Sequence, residues 1–222
     1  MAKKVFSEHD IQALPQRVRA NFVNSLSGFK SANLVGTQST HGVHNLATIS
    51  SAFHIGANPP LMGMIMRPHT VVRDTLENIK QTGVYTINHV HHSFVKQAHH
   101  CSARFGSDIS EFDAVGLTAQ PSRKIAAPYV AESFVKIGLE LEQISLIELN
   151  KTEMLIGKIV EVIFHDEHLL EDGYLDIESS GSVAVSGLDS YHSTKRLARF
   201  SYAKSDIEPS VVPVSASSDT KR

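Results

Sequence analysis

The stretch His44–Thr70 gathers side chains that could hold a flat, phosphorylated ligand. It reads HNLATISSAFHIGANPPLMGMIMRPHT, and its first part carries the short polar groups Asn45, Thr48, Ser50 and Ser51. Short side chains let a backbone approach an aromatic ring, and their hydroxyls and amides can bond its rim. Beyond the apolar run Leu61–Met66 come Arg67, Pro68, His69 and Thr70. Arg67 can pair with a phosphate through two parallel N–H groups, and Thr70 can add a hydroxyl bond; His69 stands between them. A helix opening at Asp74 would aim its positive dipole end at the same place. A half-buried strand ending in a solvated arginine would carry the same residues, so the spacing alone leaves both readings open.

The other chemistry-bearing residues point less clearly. The chain has 13 histidines, several crowded between His89 and His100. Alternation along a strand places His89 and His91 on one face, as a zinc site could use. No H-E-x-x-H appears and no second cluster supplies a fourth ligand, so surface or cofactor-lining histidines are the favoured reading and no metal ligand is assigned. Cys101 follows His99 and His100 directly, but adjacent helical residues do not face one another. The glycine patterns of Rossmann and P-loop nucleotide sites are absent. So is the G-x-S-x-G nucleophile elbow.

Elements to position these groups follow from the periodicities. Residues 7–29 read as one or two helices, with Ser7 and Asp10 as caps and Pro15 opening the second. Ile11, Leu14, Val18, Phe22 and Leu26 recur as one apolar stripe. Residues 32–39 and 43–53 form a predicted hairpin around Gly42. Asn58-Pro59-Pro60 breaks the chain, and LMGMIM (61–66) suits a strand buried on both faces. Asp74 and Glu77 have capping-box spacing for a helix that Gly83 closes. A strand over 84–90, a Ser93-capped helix over 93–105 and a loop-rich stretch over 106–131 follow. Residues 134–149 and 152–166 form two long strands turning at Asn150-Lys151. A shorter strand or two fall within 167–203. Short turns between sequential strands predict a mainly β, antiparallel barrel with flanking helices. We expect one domain over residues 1–204 and a disordered tail over 205–222.

Composition narrows the partners. In 222 residues, 21 basic and 23 acidic side chains leave a formal net charge of −2, which suggests no nucleic-acid partner. The longest apolar run is far short of the about 20 residues a membrane span needs. The opening MAKKVFSEHD lacks a signal peptide's apolar run. Cys101 is the only cysteine, which suits a reducing compartment. The expectation is a cytoplasmic protein with no membrane association.

The chain resembles the flavin reductase-like proteins with an FMN-binding split barrel. The resemblance covers roughly residues 20–204 and rests on NSLSGFKSANLVGT (24–37), NLATISSAFHIGANPPLMGMIMRP (45–68), TLENIKQTGVYTINHV (75–90), SEFDAVGLT (110–118), APYVAESFVKIGLELE (127–142) and SGLDSYHSTKRLARFSYAK (186–204). The second and third pieces are the most specific. The resemblance implies a homodimer with FMN near its interface. It implies that Asn45–Ser51 line the isoalloxazine and that Arg67–Thr70 meet the phosphate. Tyr191, Lys195 and Arg196 are candidate contributors. Hydride would pass from NADH or NADPH to flavin N5, with no catalytic side chain required. Some members hand electrons to a monooxygenase, which makes such a partner a candidate here. A flavin carrier or redox sensor is the alternative on this fold, and pyridoxamine phosphate oxidation is a more distant one.

Overall fold

The computed structural model describes residues 3–68 and 73–214. The chain opens with two helices, α1 (Glu8–Ala13) and α2 (Gln16–Leu26). Ser7 and Asp10 close a capping box at the start of α1: the Ser7 N–H donates to Asp10 Oδ2 at 2.8 Å, and the Asp10 N–H donates to Ser7 Oγ at 3.2 Å. The apolar stripe finds no core within the chain. Neither helix buries a residue, and Val18 and Leu26 stay 50% and 64% exposed. Periodicity reports that a face is apolar, without saying what covers it.

Seven strands form the main sheet: β2 (Asn33–Gln38), β3 (His44–Ile49), β4 (Ala52–Ala57), β5 (Pro60–Met66), β6 (Val84–His89), β9 (Lys136–Ile147) and β10 (Thr152–Ile163). Their order is β3-β2-β6-β9-β10-β5-β4, and every pairing is antiparallel. Strands β3 and β4 hold opposite edges, yet only Ser50 and Ser51 separate them along the chain. Laid flat, seven strands would put those edges about 29 Å apart. A two-residue link reaches about 10 Å. The sheet therefore curls until its edges meet at the two serines, and the result is a barrel split along that seam.

Shorter pieces complete the fold. β1 (Lys30–Ser31), β11 (Ala184–Ser186) and β12 (Ser190–His192) make a small sheet, and β7 (Ala119–Gln120) pairs with β8 (Tyr129–Val130). Helices α3 (Asp74–Thr82), α4 (Val95–His100) and α5 (Glu111–Val115) flank the sheet. The predicted helix over 93–105 shrinks to α4 after a short turn at His92–Phe94, capped by the His91 ring. The predicted segment 43–53 divides into β3 and the start of β4. The C-terminal side folds back on itself, with Ser201 N–H on the Ser210 carbonyl and Val212 N–H on the Arg199 carbonyl, both at 2.9 Å. Residues 215–222 of the expected tail lie outside the described residues. No described helix is long and apolar enough to cross a membrane.

Two cores result. Val35, Met64, Leu76, Ile79, Tyr85, Leu139 and Leu155 fill one. Leu34, Leu46, Phe94, Ala98, Phe112 and Val130 fill the other, beneath α4 and α5. Strand β2 feeds both, since its successive side chains point to opposite faces. The run 61–66 is more one-sided than its sequence suggests: Met64 and Met66 are buried, while Leu61 and Ile65 are half-buried. At Gly157 a Cβ would sit 2.2 Å from the Tyr85 hydroxyl, so only glycine lets that ring enter the core.

Candidate functional site

Strand β3 is the spine of the polar region, and the fold uses most of its side chains. Asn45, at its start, donates through Nδ2 to Thr75 Oγ1 at 2.9 Å and Thr37 Oγ1 at 3.2 Å. Asn78 Nδ2 donates to the same Thr37 oxygen at 3.0 Å. This buried net ties β2 and β3 to the first turns of α3. The Thr48 hydroxyl donates to the Ala98 carbonyl of α4. The Leu46 N–H, on the side of β3 without a strand partner, donates to the buried Glu111 Oε2 at 2.9 Å. Helices α4 and α5 thus occupy the edge of β3 that β4 would otherwise pair with.

At the other end of β3, Ser51 Oγ donates to the Ile65 carbonyl at 2.7 Å and accepts from the Ile65 N–H at 3.3 Å. These two bonds bring the serine pair beside the last residues of β5, next to Arg67. Ser50 is half-buried and uses its side chain in none of these contacts. The ends of β3 therefore lie against the two elements that bracket residues 67–73: β5 through Ser51, and α3 through Asn45. His69 and Thr70 fall outside the described residues.

The corner between β5 and α3 is cationic. Arg67 is exposed and Arg73 half-buried, with Arg73 Nε donating to the Pro68 carbonyl at 3.4 Å. Burial, reinforced by the neighbouring Arg67 and Arg104 charges, holds the Arg73 guanidinium below its ordinary pKa. Among the described residues, the ion pairs involve none of these three arginines. Helix α3 begins one residue earlier than its spacing suggests: Arg73 is the N-cap and Asp74 the first helical residue. No side chain caps that end, which leaves first-turn N–H groups for another acceptor. Arg73 and Arg104 were not among the residues expected from the sequence. The readable signal for Arg73 was a cation directly before a helix start; Arg104 is 31 residues further on and joins only through the fold.

Beside the α3 start lies a cleft of about 370 Å³, lined by Asn45, Asp74 and Asn78, the β2–β3 turn and residues 107–109. A second hollow of about 270 Å³ shares Val43, His44 and Asp108 with it and adds Asp113.

The expected histidine cluster disperses. His89 turns inward, its Nδ1 3.1 Å from Ser182 Oγ, and burial lowers its pKa to about 4. His91 stacks between His92 and Phe134, at 3.9 and 4.7 Å between ring centres. Among the described residues no His, Cys, Asp and Glu groups are arranged to hold a metal ion. Burial, then the nearby Glu111, pushes the Cys101 thiol up to about 12, which disfavours the thiolate that a nucleophile or metal ligand needs. Tyr191 meets His99, its hydroxyl 3.3 Å from Nδ1. Arg196 bonds Asp176 and Glu178 and serves the C-terminal fold.

Known proteins share this fold. The family model of the flavin reductase like domain matches residues 28–188. A candidate flavin reductase with a split barrel domain, from Shewanella frigidimarina NCIMB 400, superposes with a TM-score of 0.87 at 50% identity, covering 90% of this chain and 100% of that one. Component B of nitrilotriacetate monooxygenase from Bacillus cereus reaches 0.77 at 20% identity, covering 90% and 99%. The FMN-binding protein of Thermus thermophilus with bound 1-cyclohex-2-enone reaches 0.65 at 15% identity, covering 86% and 95%. At those two identities the likeness is one of fold. With its mainly antiparallel split barrel and a family match across most of its length, the chain belongs to the flavin reductase-like family.

Proposed function

We propose that the protein binds FMN and reduces it with NADH or NADPH. The observation that carries this reading is the cationic corner. Arg67 and Arg104 lie close enough for their charges to act on Arg73, none of the three joins an ion pair among the described residues, and they stand at a helix start without a side-chain cap, beside a strand of short polar side chains. Such a corner fits a phosphate: guanidiniums match its oxygens and helix N–H groups add to the field. The chain's donors therefore fit FMN, a ring with a phosphate at the end of a polyol.

In this reading Arg67 and Arg73 hold the phosphate, joined by His69 and Thr70. Ser50 and the backbone at the end of β3 meet the ring rim. Asn45, Thr48 and Ser51 position that strand through the contacts they already make. Bound there, FMN would supply the hydride chemistry of its N5 position, which belongs to the cofactor itself. The protein's part is to hold the phosphate, orient the ring and keep β3 rigid, so no catalytic residue is assigned.

The exposed apolar stripe of α2 supports a homodimer, since a second copy would cover it. Likeness to a monooxygenase component supports an oxygenase as acceptor of the reduced flavin. We place the flavin-binding domain at residues 1–204, with the tail after it, in the cytoplasm. Titrating FMN against the protein tests the first part: fluorescence quenching at micromolar FMN is expected, and its absence removes the reading. Steady NADH or NADPH oxidation with added FMN tests the second. Binding without turnover would make the protein a flavin carrier or redox sensor.

A further inference from the structure

We propose that the cleft beside α3 receives the adenosine ribose of the nicotinamide donor and so selects NADH over NADPH. This rests on the reductase reading above. The cleft is bounded by Ser39, His41, Val43 and His44 on the β2–β3 turn, by Asp74 and Asn78 on α3, and by Ser107, Asp108 and Ile109 opposite. Its volume lies within the about 300–1,000 Å³ usual for small-molecule sites.

Two features show what it would hold. First, Asn45 and Asn78 are only 8% and 6% exposed, yet both line this cleft. Each spends one end of its amide on Thr37 or Thr75. Both donate through Nδ2, and neither Oδ1 enters a hydrogen bond among the described residues, which leaves two acceptors for a ligand's hydroxyl groups. Second, the charge is acidic. Asp74 and Asp108 enter no ion pair among the described residues, and Asp113 lies in the adjoining hollow. Amide ends and carboxylates together match vicinal hydroxyls, the pairing by which a carboxylate recognises an unphosphorylated ribose. Val43 and Ile109 offer apolar surface to a base. A 2′-phosphate would bring about two negative charges against the same carboxylates, and like-charge contact disfavours such a ligand.

The FMN-loaded full chain is titrated with adenosine and with adenosine 2′-phosphate, and kcat/KM is measured for NADH and NADPH. Adenosine should bind at least about tenfold tighter than its 2′-phosphate, and NADH should be preferred by a similar factor. Asp108→Lys, on an exposed loop, should narrow or reverse both ratios without changing FMN affinity, and Asp108→Asn should do so partly. Equal binding of the two adenosine compounds, or ratios unmoved by Asp108→Lys, overturns the proposal while leaving FMN reduction standing. If neither donor is oxidised, the reductase reading falls. In that case adenosine discrimination would keep a nucleoside site here, and no adenosine binding would remove that too.

Discussion

The two sides of the α3 start have opposite electrostatics within one turn of helix. Arg67 and Arg104 press their charges on Arg73, while Asp74, Asp108 and Asp113 line the neighbouring hollows, and none of these six joins an ion pair among the described residues. Self-neutralisation would have been easy, since Arg73 and Asp74 are neighbours in the chain. Keeping the charges apart costs stability through like-charge repulsion. It also gives each face one ligand chemistry: phosphate oxygens on the first, hydroxyl groups on the second. The Asn45–Thr75 bond fixes both faces to the same strand.

Breaking the cationic side should have the largest effect. Arg73→Glu puts a carboxylate where the phosphate is proposed to sit, and FMN affinity should fall by about 3 kcal/mol, or more than a hundredfold. Fluorescence titration measures this; an unchanged affinity would move the phosphate elsewhere. Arg67→Ala removes one charged donor and should weaken FMN binding by about 2 kcal/mol. The loss should shrink in high salt because Arg67 is exposed.

Acidification separates this corner from the rest of the barrel. His89 has a folded pKa of about 4 against an ordinary 6.5. Between these values the unfolded chain binds more protons, so stability falls as pH drops from 6.5 to 4. The expected loss at pH 5 is about 1–2 kcal/mol, allowing for solvent at the edge of the ring. Urea unfolding at pH 7 and pH 5 should show it, and His89→Gln should flatten the difference. The guanidiniums stay charged over this range, so at pH 6 the folded His89→Gln variant and the parent should bind FMN alike. The smallest effect belongs to Asp74→Asn: FMN affinity should change by less than about 0.5 kcal/mol if the two faces act independently. A large gain would show that Asp74 lies in the phosphate's field and that the comparison is drawn too sharply.

Much of this architecture was legible locally. Ser7 with Asp10, the Asn150-Lys151 turn, the break at Asn58–Pro60 and the stop at Gly83 are each set by neighbours in sequence, where backbone geometry and short-range hydrogen bonds decide. The polar character of Asn45–Ser51 was equally plain. Its division of labour was not: Thr48 spends its hydroxyl on α4, Ser51 on β5 and Asn45 on α3, and each partner lies 14 to 50 residues away. The α3 cap was misplaced by one residue because Asp74 has the right side chain, while the backbone turns at Arg73. The stripe on α2 was legible as an apolar face, but its exposure was not, because a sequence shows that a face is apolar before anything shows what lies against it.

By itself the sequence determined the elements, the antiparallel class and the residue types available for a phosphorylated ring, since all of these follow from periodicity and side-chain chemistry. Tertiary structure decided that two serines close the barrel seam, that Arg104 joins Arg67 and Arg73, and that Asp108 faces Asp74 across a cleft. Those juxtapositions depend on sheet curvature and on the path of a distant loop. Both are set by the summed packing of the whole chain rather than by any local stretch of it.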